Sequence, residues 1–255
     1  MSVPSFHWWR TVFFLIPAIT VYSIVLGTIS IASSVFDRTG RFAHGCARWW
    51  SRLILVTTGV RVDVSGLERL TPGAPYVFVS NHQSIYDIPV IFWSLPFQLR
   101  IIAKQSLGSF PFLGWHLRRT GHLLVDRQRP GAPTILQRWR HLLESGLSLI
   151  IFPEGTRSAD GRVGRFKAGG FLLAMEAGVP IVPLSITGTR FVMRKGFVTT
   201  RPGHVTLTVH EPLAISPGPE PPGTAAARAL GVRVRAVIEA RVLADDTRIG
   251  QWPTT

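Results

Sequence analysis

Cysteine is almost absent from this chain: Cys46 stands alone among 255 residues. One thiol closes no intramolecular disulfide, and no Cys and His residues stand at zinc-ligand spacing, so a disulfide-stapled scaffold and a zinc module are both excluded. A reducing compartment fits this usage. Charge is also scarce, at 16% of residues against roughly 25% in soluble domains. Acids make up the deficit, with 14 Asp and Glu against 28 Lys and Arg. The resulting formal charge of +14 favours phosphate-rich partners: nucleic acid, anionic lipid or phosphorylated small molecules. The basic residues are scattered and form no nucleic-acid module, so nucleic acid is not expected as a partner. A Gly-x-Ser-x-Gly elbow is missing, which argues against a serine hydrolase. The stretch from Gly161 to Lys167 lacks the spacing of a nucleotide-binding P-loop, so its glycines are expected to shape a turn.

What is present first is a long apolar run. From Thr11 to Phe36 no residue is charged; as a helix the run extends roughly 39 Å, enough to cross a hydrocarbon layer of about 30 Å with tilt. A cleavable leader is the competing reading, kept open by the small residues at Ala32–Ser34, but the apolar stretch is long for one. Arg10 precedes the run and Arg38, Arg41, Arg48 and Arg52 follow it, which places the bulk of the protein on the cytoplasmic face of a membrane. Trp8, Trp9, Trp49 and Trp50 suit the two interfaces. Pro17 and Gly27 leave a second geometry open, in which the run folds into a helical hairpin that dips in and returns, with Leu53–Val60 adding apolar contact.

Beyond Val60 short apolar runs alternate with helical patterns. Tyr76–Ser80, Leu123–Val125, Leu147–Phe152, Ile181–Ile186 and Val205–Val209 read as strands. Thr134–Ser145 and Lys167–Ala177 read as helices, stopped by Gly146 and Gly178. Such alternation predicts an α/β fold: a largely parallel sheet flanked by helices, joined to an N-terminal apolar membrane-embedding helix or hairpin. Three regions follow: 1–60 for membrane attachment, 61–215 as the α/β domain, and 216–255 as a Pro-rich linker (Ser216–Gly223) with a C-terminal helix over Ala225–Leu243. That helix is expected to pack on the domain through Val234, Val237, Ile238 and Val242.

Two polar loops stand at strand ends, where α/β proteins bind ligands. The first is Asn81-His82-Gln83-Ser84-Ile85-Tyr86-Asp87. In a continuous helix His82 and Asp87 would lie about 140° apart, so the two side chains meet only if His82 sits in the turn before the helix. An Asp bound to one imidazole nitrogen fixes the tautomer and leaves the other nitrogen to take a proton from a hydroxyl. The plainer reading is a capping box, with Asp87 three residues after Ser84 stabilising a helix start.

The second loop is Phe152-Pro153-Glu154-Gly155-Thr156-Arg157-Ser158. Gly155 lets backbone approach a ligand, Thr156 offers a hydroxyl, and Arg157 offers a planar fork for phosphate oxygens, with Glu154 placed to hold Arg157 or another cation. A surface turn closed by Glu154 and Arg157 is the alternative. Lys104, Arg127 and Lys167 are either phosphate ligands or solvated surface cations.

Taken in order, these blocks resemble the 1-acylglycerol-3-phosphate (lysophosphatidic acid) acyltransferases and the wider glycerolipid acyltransferase family. Asn81–Asp87 looks like the family's His-four-residues-Asp block, Gly121–Arg127 like the second block, Phe152–Ser158 like the third, and Val179–Gly188, with Pro180 and Pro183, like the fourth. Phe166-Lys167-Ala168-Gly169 is also family-like. The resemblance covers Tyr76–Gly188 and implies His82 as general base, Asp87 as its orienting partner, and Arg127, Glu154, Gly155 and Arg157 as the acceptor-phosphate site, with Thr156, Lys104 and Lys167 as further binding candidates. It also implies transfer of a fatty acyl group from acyl-coenzyme A or acyl carrier protein to lysophosphatidic acid, giving phosphatidic acid at a membrane. No metal or redox cofactor is expected. Another lysophospholipid or a lyso-aminolipid as acceptor, and a non-catalytic anionic-lipid-binding role, are the alternatives.

Overall fold

The computed structural model describes residues 5–37, 39–109, 113–125, 133–215 and 222–249. Among them seven strands form one sheet: β1 (Val60–Ser65), β2 (Val77–Ser80), β3 (Leu99–Lys104), β4 (Leu123–Val125), β5 (Ser148–Ile151), β6 (Ile181–Thr187) and β7 (Gly203–Val209). Their spatial order is β1-β7-β6-β2-β5-β3-β4. Every pairing is parallel except β6 with β7. The chain thus adopts the expected α/β architecture, with two strands, β1 and β3, whose patterns were not read. Both carry charged residues, Arg61 and Asp63 in β1 and Arg100 and Lys104 in β3, which broke the apolar runs.

Helices follow in chain order: α1 (Phe6–Arg10), α2 (Ile16–Ser33), α3 (Arg41–Thr58), α4 (Asp87–Ser94), α5 (Leu113–Arg119), α6 (Pro133–Glu144), α7 (Gly169–Ala177), α8 (Thr189–Val192) and α9 (Thr224–Ile249). The central strands are buried on both faces, so β2 and β5 read as continuous apolar runs rather than alternating ones. One face packs Phe78, Ile150, Val182 and Leu184 against Ile54 and Leu55 of α3 and Val90, Ile91 and Phe92 of α4. The other packs Val77, Val79, Leu149 and Ile151 against Trp139 of α6, Phe171 and Ala174 of α7, and Ala227, Val234, Ile238 and Val242 of α9. The C-terminal helix therefore docks on the domain, although Val237 faces outward, 40% exposed. The linker at 216–221 lies outside the described residues.

At the N-terminus, α1 and α2 run on through a π turn at Thr11–Leu15, making one helix over Phe6–Ser33. Pro17 and Gly27 do not fold it into a hairpin. Pro17 falls in the first turn of α2 directly after the widened π turn, where its missing N–H is tolerated. The return leg is instead α3, whose amphipathic face covers the sheet. Tyr22 Oη and Thr57 Oγ1 lie 3.0 Å apart, Trp50 Nε1 donates to Ser23 Oγ at 3.0 Å, and Arg10 Nη2 donates to the carbonyls of Thr57 and Thr58, locking the pair. The outer surface of the long helix stays bare: Phe13 is 65% and Phe14 59% exposed. An apolar surface of this kind marks an interaction site, and on a helix long and apolar enough to cross a bilayer it makes this end of the protein membrane-associated.

Candidate functional site

Because β2, β5 and β6 are parallel neighbours, their carboxyl ends open on one edge of the sheet. The loops after them converge there. Asn81 ties the first to β6, with its Nδ2 donating to Ile186 O at 2.8 Å and its Oδ1 accepting Ile186 N at 2.9 Å. This two-pronged bond copies a backbone ladder and fixes where the turn begins. His82 then lies in the turn and Asp87 at the first position of α4, the arrangement the five-residue spacing requires.

His82 Nδ1 and Asp87 Oδ2 are 2.7 Å apart. A carboxylate has no proton to give, so Nδ1–H donates and the lone pair of a neutral ring resides on Nε2. Asp87 is fully buried, and its charge is compensated by directed donors: Gln83 N at 2.7 Å and Ser84 N at 3.0 Å to Oδ2, and Thr189 Oγ1 at 2.6 Å to Oδ1. Of the capping reading only half is realised: Asp87 accepts the Ser84 N–H with the oxygen that holds the ring, but Ser84 Oγ donates to Met193 O instead of capping the helix, whose N-cap is Tyr86. Phe152 stacks on the imidazole, centroids 4.2 Å apart at 25°, fixing the ring plane from the second loop.

Glu154 does not pair with Arg157. Its Oε1 accepts His82 N at 2.8 Å and its Oε2 accepts Gly164 N at 3.0 Å, so it staples the first loop to the glycine-containing turn after the second. Burial pushes its carboxyl pKa up, opposed by these two N–H bonds. Ser158 N closes the arrangement by donating to His82 O at 2.7 Å, and Gln83 Nε2 donates to Gly161 O at 3.0 Å. Both polar loops thus form one body.

The cations gather on the solvent side of that body. Gly155 has φ +74, and an added Cβ would meet Lys167 Nζ at 2.9 Å, so the glycine admits the lysine against the loop backbone. Arg157 is half-buried. Lys195 Nζ donates to Arg157 O at 2.7 Å and to Thr156 Oγ1 at 3.2 Å. Lys104 ends β3 on the same sheet edge, its backbone in register with Val125, and its side chain lies outside the described residues, as does the whole of Arg127. Beneath the ring, Phe152 lies against an apolar patch of Ile88, Ile91, Phe92, Ile101 and Ile150 between α4 and the sheet, packed closely enough that no water-sized void remains.

Sequence reasoning missed Thr189, Phe152 as the ring's stacking partner, and Lys195. Thr189 had a signal: it follows Gly188, which has φ +91 and whose Cβ would strike His204 O at 2.2 Å. Only glycine turns the chain there, and the turn aims Thr189 at the first loop. Lys195 had none, since a lysine in a polar loop reads as solvated surface.

A family model described as Acyltransferase matches residues 61–187. Among curated relatives, a chloroplastic 1-acyl-sn-glycerol-3-phosphate acyltransferase of Brassica napus is 37% identical over 183 residues, covering 70% of this chain and 53% of that protein. The Pseudomonas aeruginosa 1-acyl-sn-glycerol-3-phosphate acyltransferase is 30% identical over 207 residues, covering 78% and 79%. This chain spans about half the length of the plant and algal relatives it matches. The crystal structure of the 1-acyl-sn-glycerophosphate acyltransferase of Thermotoga maritima superposes with a TM-score of 0.79 at 28% identity, covering 96% of this chain and 97% of that one. By fold, by the joined loops at its sheet edge and by these relatives, the chain belongs to the glycerolipid acyltransferase family.

Proposed function

We propose that this protein transfers a fatty acyl group from an acyl thioester to the free sn-2 hydroxyl of lysophosphatidic acid, giving phosphatidic acid. The observation that carries the reading is the His82–Asp87 pair, an imidazole held by a buried carboxylate with Nε2 left as the base. On this reading the acceptor's phosphate rests among Arg157, Lys167, Lys195 and the Gly155–Thr156 backbone, with Lys104 and Arg127 as further ligands. Its hydroxyl then faces His82. Nε2 takes the hydroxyl proton as the oxygen attacks the thioester carbonyl, the carbon–sulfur bond breaks, and the thiolate leaves with a proton from the imidazolium. Asp87 stabilises the transient imidazolium without becoming protonated. Donors to the developing oxyanion come from neither Gln83 N nor Ser84 N, because Asp87 already uses both.

Glu154 acts in this scheme by positioning: it fixes the backbone of His82 rather than touching phosphate. The membrane-associated helices hold the site at the surface from which the acceptor is drawn, with the domain on the cytoplasmic face, as the Arg distribution favours. Either acyl-coenzyme A or acyl carrier protein serves as donor in this scheme. Offering purified protein each donor with a panel of lysolipids tests the reading: product with lysophosphatidic acid supports it, transfer only to another lysolipid changes the acceptor, and no transfer from either thioester defeats it.

A further inference from the structure

Between Thr189 and Pro202 the chain carries Arg190, Arg194, Lys195 and Arg201 and no acidic residue. The segment also displays large apolar side chains to solvent: Phe191 is 48%, Phe197 59% and Val198 51% exposed. Two arginines lie over these rings, Arg190 at 4.7 Å from the Phe191 centroid and Arg194 at 5.6 Å from that of Phe197. Cations paired with exposed aromatics suit the boundary between acyl chains and anionic headgroups.

The segment is held rather than loose. Thr189 bonds Asp87, Ser84 Oγ donates to Met193 O at 2.8 Å, and Arg201 N donates to Val192 O at 2.8 Å. At its far end Thr200 N donates to Thr11 Oγ1 at 2.9 Å, which joins it to the π turn of the apolar helix. Within a turn of Thr11 stand Trp9, Phe13 and Phe14, all exposed. Val192 and Met193 pack in the same sheet-face cluster as α3 and α4, the face that bears the apolar helices.

We propose that the segment from Phe191 to Val198 is a second membrane-inserting element, which seats Phe197 and Val198 in an anionic bilayer beside the apolar helix and brings Lys195 to the acceptor's headgroup. The occupant of this surface is an anionic lipid bilayer, favoured by the charge and by continuity with the helix. The segment then couples three things: the lipid surface through Phe197, the phosphate loop through Lys195, and the catalytic carboxylate through Thr189. This last consequence rests on the acyl-transfer reading; the insertion itself does not.

Full-length protein with Cys46→Ala and Phe197→Cys, carrying a nitrobenzoxadiazole label, is bound to phosphatidylcholine vesicles with and without phosphatidylglycerol. Val232→Cys on α9, exposed on the opposite sheet face, serves as control. Blue-shifted emission quenched by doxyl lipids at 197 but not at 232, and stronger with phosphatidylglycerol, is the expected result. Water-like emission at 197 on vesicle-bound protein, or equal burial at both positions, overturns the proposal. In turnover, Phe197→Asp with Val198→Asp is expected to raise the KM for vesicle-borne acceptor about tenfold while a water-soluble short-chain acceptor is used at an unchanged rate. Equal loss on both acceptors would contradict insertion. Failure of every acceptor with the unaltered protein would defeat the acyl-transfer reading and leave the depth measurement intact.

Discussion

Thr189 donates a 2.6 Å hydrogen bond to the Asp87 oxygen that does not hold the imidazole, across 102 positions of chain. The catalytic carboxylate is therefore set from two sides, by the backbone of its own turn and by a hydroxyl delivered from the end of β6. Removing that hydroxyl should leave a fully buried oxygen without a partner. Thr189→Val is expected to lower kcat about 10- to 100-fold with little change in KM, since a bond to a buried charge is worth about 1.5–3 kcal/mol. Thr189→Ser should restore most of the rate. A loss that Ser does not rescue would mean that the methyl group, not the hydroxyl, matters.

Asp87→Asn removes the negative charge on which His82 Nδ1 and the N–H groups of Gln83 and Ser84 converge, and sets an NH2 group against either those donors or Thr189 Oγ1. The ring's tautomer would be held less firmly and its imidazolium left without a counter-charge. A fall in kcat of roughly 10³- to 10⁴-fold is expected, as for orienting carboxylates in serine hydrolases. Steady-state kinetics beside circular dichroism of the variant separates this from unfolding.

The cations should divide by burial. Arg157→Ala is expected to raise the KM for phosphate-bearing acceptors about 10- to 100-fold, with a smaller effect of up to about fivefold for exposed Lys195→Ala. Neither should alter use of a monoacylglycerol, which has no phosphate. Equal effects on both acceptors would remove these residues from a phosphate site.

Glu154 supplies a pH test. Its folded pKa is raised from the ordinary 4.5 by burial, so the native state binds its proton more readily than the unfolded chain. Its contribution to stability is present below 4.5 and is lost as pH rises through the raised value. Glu154→Gln should remove this falling contribution, so that just above pH 4.5 the Tm of the variant rises more steeply, or falls less, with pH than that of the wild type. An unchanged profile would contradict the burial argument.

A second, opposite pH effect lies where α2 meets α5. His116 Nδ1 and Ser30 Oγ are 2.7 Å apart, and burial, with the Arg100 charge adding to it, lowers the His116 pKa to about 4. His122 is pushed well below its usual value by burial, with the nearby His116 and Arg100 charges adding to it. A base depressed in the native state contributes stability at neutral pH that is lost as pH falls from 6.5 towards 4. Thermal unfolding between pH 7 and pH 4.5 should show this loss, and His116→Gln should reduce it.

The architecture was legible where burial alone decided the residues. β2 and β5, apolar on both faces, announce themselves, and the turn before α4 follows from a spacing that no continuous helix satisfies. β1 and β3 were opaque because charges interrupt them, and α3 because Arg41, Arg48 and Arg52 stand among apolar residues that only the hairpin pairing arranges into a face. In the site, His82 and Asp87 could be read because they are five residues apart. Thr189 and Lys195 could not, because the contacts that give them meaning exist only after β6 is placed beside β2. The sequence suggests Glu154 as a holder of Arg157 or another cation, but its carboxylate is taken by the backbone N–H groups of His82 and Gly164.

The central claim is that His82 is the base, and the most direct measurement is transfer of a labelled acyl group from acyl-coenzyme A to lysophosphatidic acid by the wild-type protein and by His82→Ala, each shown to be folded by circular dichroism. Labelled phosphatidic acid from the wild type, with at least a roughly 10³-fold lower rate in the variant, is the predicted result. Equal rates from both proteins would contradict it.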